Sequence, residues 1–323
     1  MWTRREQIAV YDFPREGGGQ IAPFAGPVLH VDTENGATQD TAKSWEHSLS
    51  TMDAALDKAN DFAAKYGSDG VIYLRGHVAE QLTAPLGCYG WKIIGVPGGR
   101  PRHATASGVD LNSNGAHWSE ASTATNAPLL ELREQGWEVH NILFVPESGY
   151  SAVKLNRQES ATYPDASHFK ASGCKFISGG TRVGYGIEDY GGAYHIGVED
   201  CEFVGLEFGY NPTNVSIASP SAQVWKGNTF YSNKHDIVGN FATSQFLGNK
   251  FLTVYHATTH PNTLNLAYTA DAGVATAKNL VLDNVFADAA ADVTIAKGYK
   301  PATGDIWRNF VTDTAAYIVT VPS

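Results

Sequence analysis

Apolar and polar positions alternate in a short phrase that recurs along the chain and always ends on phenylalanine. The instances are Ile142-Leu143-Phe144, Cys174-Lys175-Phe176, Cys201-Glu202-Phe203, Asn228-Thr229-Phe230, Asn249-Lys250-Phe251 and Asn284-Val285-Phe286. Within each phrase the outer residues share a side and the middle one points away, which is the period of a β-strand. Lys175, Glu202, Thr229 and Lys250 are thus expected to face solvent, with the Cys or Asn and the Phe facing inward. Successive Phe residues lie 32, 27, 27, 21 and 35 positions apart. A period in that range with variable insertions marks a solenoid, whose repeats bury their apolar sides against one another. Three inward partners are Asn, and stacked Asn side chains can bond from turn to turn. The predicted fold is all-β, a single-stranded parallel β-helix with these inward residues as its structural ladder.

A different period precedes the phrases. Met52, Ala55, Leu56, Ala59, Phe62 and Ala63 recur at spacings of three and four, which predicts an amphipathic helix over 50–66. Ser50 with Asp53 reads as its cap, and Gly67 as its stop. Such a helix covers the apolar end that a solenoid otherwise exposes. Four segments follow from this pattern: an extended arm over 1–27, a helical cap over 28–70, coils over 71–286 and a closing segment over 287–323. The arm carries Pro14, Pro23, Pro27 and a Gly17-Gly18-Gly19 run, with Trp2, Tyr11, Phe13 and Phe24 as isolated anchors. The stretch between Gly98 and Asn126 reads as a long loop on one edge. Beyond Phe286, the segments 305–310 and 317–321 read as final strands.

Composition narrows the choice of partner. With 33 glycines and only 17% charged residues the chain suits many short strands and tight turns. A net charge of -10 argues against nucleic-acid binding through phosphates. Cys88, Cys174 and Cys201 form an odd set, read as free core thiols rather than a disulfide framework. No apolar segment follows Arg4-Arg5, and no run of 18 apolar residues occurs, so neither a signal peptide nor a membrane span is expected.

The order of Asp32-x-x-Asn35-Gly36, a helix with Ala54-Ala55-Leu56-Asp57, the stretch Val71 to Glu80, Ile93-Ile94-Gly95-Val96 and Gly98-Gly99-Arg100-Pro101 resembles right-handed β-helix proteins of the pectate-lyase-like superfamily. It is most similar to versions that tailed bacteriophages encode as virion proteins, and the ending Gly304 to Phe310 looks like their C-termini. The resemblance spans about Val28 to Phe286 and rests on structural motifs. It implies a right-handed coil, a homotrimer and a place in the virion.

The chemistry in the sequence is sparse. Arg100-Pro101-Arg102 is too compressed for the arginine-bearing phrase of pectin lyases. Glu188, Asp189, Glu199 and Asp200 are the best carboxylates for a glycosidase pair, if adjacent coils stack them on one face; the plainer reading sets Glu199-Asp200 in a turn. Asp32, Glu34 and Asp40, with Asn35, are hard oxygen ligands close in sequence and form a Ca²⁺ alternative to the leading reading of no cofactor. His256 and His260 lie four apart but beside Pro261, and read as loop histidines. Tyr185, Tyr190, Tyr194 and Trp225 are candidates for stacking on sugar rings along a groove. The leading expectation is a virion structural protein, most simply a head decoration, whose arm grips the major capsid or tail protein. The alternatives are a polysaccharide depolymerase and a noncatalytic adhesin that binds a surface polysaccharide.

Overall fold

The computed structural model describes residues 26–38, 40–67, 69–96, 115–119, 127–157, 165–179, 183–213, 221–239, 241–252, 262–265, 279–286, 299–300, 306–311 and 316–318. The arm anchors Trp2, Tyr11, Phe13 and Phe24, the Arg100-Pro101-Arg102 tripeptide and the His256 and His260 pair lie outside these residues.

The strands stack into three parallel ladders, and each full coil contributes one strand to each. The coil with β11 (Lys170–Ser172), β12 (Lys175–Ile177) and β13 (Tyr185–Tyr190) pairs in register with β14 (Gly197–Glu199), β15 (Glu202–Val204) and β16 (Phe208–Thr213). The next coil is β17 (Val224–Lys226), β18 (Thr229–Tyr231) and β19 (His235–Val238), followed by β20 (Gln245–Leu247), β21 (Lys250–Leu252) and β22 (Asn262–Asn265). First and second strands form sheet A; third strands form sheet B. Parallel strands joined by crossovers wind right-handed, which gives the β-helix its hand. The ladders extend further than the phrases: β1 (Val28–Asp32) already pairs with β2 (Val71–Arg75), and β23 (Leu280–Phe286) with β25 (Ile306–Val311). The antiparallel β26 (Ala316–Ile318) then covers part of the β25 edge. Within the expected 98–126 loop, Ala116–Ser119 is in fact a sheet A strand.

Each phrase sits just past a sharp corner. Asn141, Gly173, Asp200, Gly227, Gly248 and Asp283, each one residue before a phrase, all have positive φ between 52° and 67°. These residue types tolerate the left-handed region best, and one such residue turns the chain from the first ladder into the second. The inward Cys174, Cys201, Asn228 and Asn249 are therefore corner residues, not strand residues as the alternation suggested, while Asn284 lies within β23 at a shift of register. At the corner Asn249 accepts from the backbone N–H and side-chain Nδ2 of Asn228, both at 3.0 Å. It donates through Nδ2 to Asn284 Oδ1 and Trp225 O, both at 2.9 Å. The ladder runs on through Asn284 to Asn309, and its other end meets the backbone N–H of Cys201.

One strand further in, Phe144, Phe176, Phe203, Phe230, Phe251 and Phe286 stack face to face at centroid spacings of 4.7–5.3 Å. Trp118 extends the stack above Phe144. The three cysteines are free and buried, as expected of core thiols.

The cap helix α1 spans Met52–Tyr66 and buries Met52, Ala55, Leu56 and Ala59. Its N-cap is Thr51, whose hydroxyl accepts from Ala54 N, and not Ser50 with Asp53. Ser50 instead bonds Thr38. The free N–H groups of Met52 and Asp53 donate to the Glu80 carboxylate at 3.0 and 2.9 Å. A carboxylate at a helix N-terminus is favourable, so Glu80 clips the cap to the first coil.

Candidate functional site

The outer face of sheet B gathers the most varied polar groups. In β7 (Leu130–Leu132), β10 (Ser151–Asn156) and β13 the inward residues Leu130, Leu132, Val153, Leu155 and Ile187 are fully buried. Alternation then aims Glu131, Lys154 and Glu188 outward, and the register stacks them in one row with Asn211. Neighbouring strands are about 4.8 Å apart, so two carboxylates flank one ammonium along the solenoid axis.

Each member of the row is held. Glu131 accepts from Arg133 Nε at 2.8 Å and Asn156 Nδ2 at 2.9 Å. Burial pushes its pKa up, but those bonds outweigh burial and hold the carboxyl below its ordinary value. Glu188 accepts from Ser151 Oγ and Thr213 Oγ1, both at 2.9 Å. Lys154 Nζ lies 3.9 Å from Glu188 and 4.9 Å from the centre of the Tyr190 ring. Tyr185 is half-buried on the same strand, edge-on to Phe208. The arrangement can accept and donate hydrogen bonds to a polyhydroxylated ligand and offers tyrosine rings beside them.

The four carboxylates expected to pair do not share a face. Glu188 is on sheet B, whereas Glu199 is on the outer face of sheet A, bound to Lys170 at 3.2 Å. Asp200 is the corner residue of its coil, so the turn reading describes Asp200 but not Glu199, which ends a strand. Asp189 points the other way, into the core: it is fully buried and accepts from Ala193 N and the Tyr210 hydroxyl. Trp225 is also core, fully buried with its N–H on Gln223 Oε1 at 2.9 Å, and cannot stack on a sugar. Tyr194 is covered by the Arg157 guanidinium, 3.9 Å from its ring centre.

Asp32, Glu34 and Asp40 do not converge as a Ca²⁺ set. Asp32 is buried and clamped by Arg75, and it accepts from the N–H groups of Glu34 and Asn35. Asp40 pairs with His47 at 3.3 Å. Among the described residues no three His, Cys, Asp or Glu side chains group as metal ligands, and no helix is long and apolar enough to cross a membrane.

Burial raises the Asp189 pKa to about 6. Its folded value lies above the ordinary carboxylate range, so the stability it contributes is complete below about pH 4 and is lost as pH rises through about 6. His117 slopes the opposite way. Burial and neighbouring His77 lower it to about 4, so its contribution is lost as pH falls below the ordinary histidine value. Comparing Asp189→Asn with the parent cancels the His117 slope. The variant should gain on the parent by an amount on the order of 3 kcal/mol between pH 4 and pH 7. Denaturant unfolding at several pH values checks this; a difference independent of pH would mean Asp189 is ionised in the fold.

No family model matches this chain, and no curated protein does. Solved structures with similarity include a rhamnogalacturonan lyase, at 12% identity and TM-score 0.38, covering 89% of this chain and 71% of that one. A pectin methylesterase from Aspergillus niger aligns at 13% identity and TM-score 0.40, covering 89% and 86%. The Dettilon tailspike protein aligns at 10% identity and TM-score 0.27, covering 88% and 68%. At these identities and TM-scores, none of their activities carries over to this chain.

Proposed function

We propose that the chain is a structural component of a bacteriophage particle, a rigid β-helical body held to the head or tail by its N-terminal arm. One observation carries this reading: the outward carboxylates of the middle coils are spent on bonds between coils. Glu138 takes Lys92 at 2.7 Å, Glu199 takes Lys170 at 3.2 Å, Glu202 takes Lys175 at 2.9 Å and Glu207 takes Lys234 at 3.2 Å. Burial pushes the Glu138 carboxyl up, but bonds from His140 and Lys92 outweigh it and hold the pKa at about 2. Such carboxylates brace a shaft and are poor proton donors. The sequence resemblance supplies the setting: decoration of the head, residues 1–27 on the major capsid or tail protein, and a homotrimer. The test is a cryo-electron-microscopy map of particles made with the full chain and with residues 1–25 deleted. β-Helix density seated on the shell or tail and lost on deletion is the expected result; its absence from intact particles overturns the reading.

A second reading, a noncatalytic glycan-binding surface, is favoured by the Glu131, Lys154 and Glu188 row beside Tyr185 and Tyr190. Calorimetric titration with host surface polysaccharide tests it. Binding that Lys154→Ala and Glu188→Gln each weaken would support the row, whereas unchanged binding would place any glycan elsewhere.

A further inference from the structure

The outer face of sheet A changes character along its length. Over the first coils its apolar residues Val71, Tyr73 and Ile94 are packed under Trp45, so the chain covers them itself. Lys92, on the strand of Ile94, and Lys170 and Lys175 in the middle coils are matched to carboxylates. The lysines that follow, Lys226 in register with Glu199 and Lys250 in register with Thr229, are exposed and make no ion pair among the described residues. Around them most outward positions are apolar, Val224, Leu247, Leu282 and Ile306 on the first ladder and Tyr231 and Leu252 on the second, with Gln245 and the Arg308 paired to Asp283 among them. Ile306 is 61% exposed and Tyr231 42%.

This is a basic, apolar face on a chain of net charge -10. The chain also carries its complement. Helix α1 presents Asp53, Asp57 and Asp61 at successive turns of one exposed face, and none makes an ion pair among the described residues. Like charges four apart repel along a helix, so that row gains from a cationic neighbour. Its spacing of about 6 Å per four residues is close to the coil-to-coil rise of about 4.8 Å that separates the lysines axially, Lys226 on the first ladder and Lys250 on the second. We propose that the C-terminal half of the sheet A face docks helix α1 of a second copy of this chain. The apolar residues around the lysines favour a protein surface over a sugar chain, because interface cores exclude water around apolar side chains. The helix lies on the first coils and the face on the last, so two copies packed antiparallel about a two-fold axis make the contact twice, whereas a head-to-tail contact closes into a ring or continues as a filament.

Sedimentation velocity of the full chain tests the proposal by charge exchange. The parent should self-associate. Lys226→Glu with Lys250→Glu, and separately Asp57→Lys with Asp61→Lys, should each weaken self-association by about a hundredfold, since like charges brought face to face are strongly unfavourable. These side chains are exposed, so circular dichroism and melting should match the parent. An equimolar mixture of the two variants should associate again, because each supplies the partner the other lacks. A monomeric parent, variants that associate like the parent, or a mixture that stays monomeric would each overturn it. If the parent is monomeric and anionic polysaccharide binds Lys226 and Lys250 instead, the face belongs to a glycan.

Discussion

Replacing Asn249 with alanine should destabilise the protein by about 4 kcal/mol, among the largest losses any single side chain here can cause. The reason is that Asn249 is a link, not an end. Its carbonyl receives the N–H and the side-chain amide of Asn228, and its own amide reaches Asn284 and Trp225 O. Alanine leaves the Asn228 backbone N–H and one of its amide protons without an acceptor and takes a donor from Trp225 O and from Asn284 Oδ1, which keeps only the backbone N–H of residue 249; all these residues are fully buried. Each buried polar group left unsatisfied costs about 1–3 kcal/mol. Phe246 and Phe251 of the same coil are buried, so the gap opens inside the core and not at the surface. Thr229→Ala is the matched control: Thr229 is the outward residue of the neighbouring phrase, and its loss should stay within about 0.5 kcal/mol. Denaturant midpoints of the two variants decide the matter. Equal losses would show that the ladder contributes no more than surface packing.

The coil period was legible in the sequence because one residue type repeats at one place. The stack repeats one large side chain at the coil spacing, so Phe176, Phe203, Phe230 and Phe251 recur. The corners were legible in part. Every phrase is preceded by Asn141, Gly173, Asp200, Gly227, Gly248 or Asp283, the residue types that suit a left-handed turn. Reading only three residues hid that position, and so assigned Asn228 and Asn249 to strands. The first ladder offers no repeated residue, since Ala171, Val198, Trp225, Phe246 and Val281 occupy one inward row. Trp225 therefore looked like a surface aromatic. Trp118 was masked by the polar composition around it.

The candidate site was the least legible part. Glu131, Lys154 and Glu188 share a row only because insertions of different length return the chain to the same register, 23 and then 34 residues on. The sequence marks them only by context, as a charge between apolar residues in Leu130-Glu131-Leu132 and Val153-Lys154-Leu155. Asp189, adjacent to Glu188, points to the opposite side of the strand. Two neighbouring carboxyls thus differ entirely in environment, one in a surface hydrogen-bond row and one sealed in the core.

Truncating Phe203 to alanine should cost about 4 kcal/mol, and the same change at Phe286 distinctly less. Phe203 has a ring on each side, Phe176 at 4.7 Å and Phe230 at 4.8 Å, and Trp225 beyond. Gly186 also packs on it so closely that a Cβ there would meet the ring at 2.8 Å. The cavity left by alanine is therefore lined by rigid rings and a glycine, none of which can swing in to fill it, and the cost grows with unfilled volume. Phe286 stacks on Phe251 at 4.9 Å, and its register partner on the next coil is a valine, Val311, where Phe203 has the ring of Phe230. Phe203→Leu restores most of the volume without the flat face and should cost about 1.5 kcal/mol or less. Denaturant unfolding of the three variants separates the contributions. If Phe203→Leu is as costly as alanine, flatness and not volume is what the stack requires. If Phe203 and Phe286 cost the same, the stack does not act through nearest neighbours, as a solenoid built coil upon coil must.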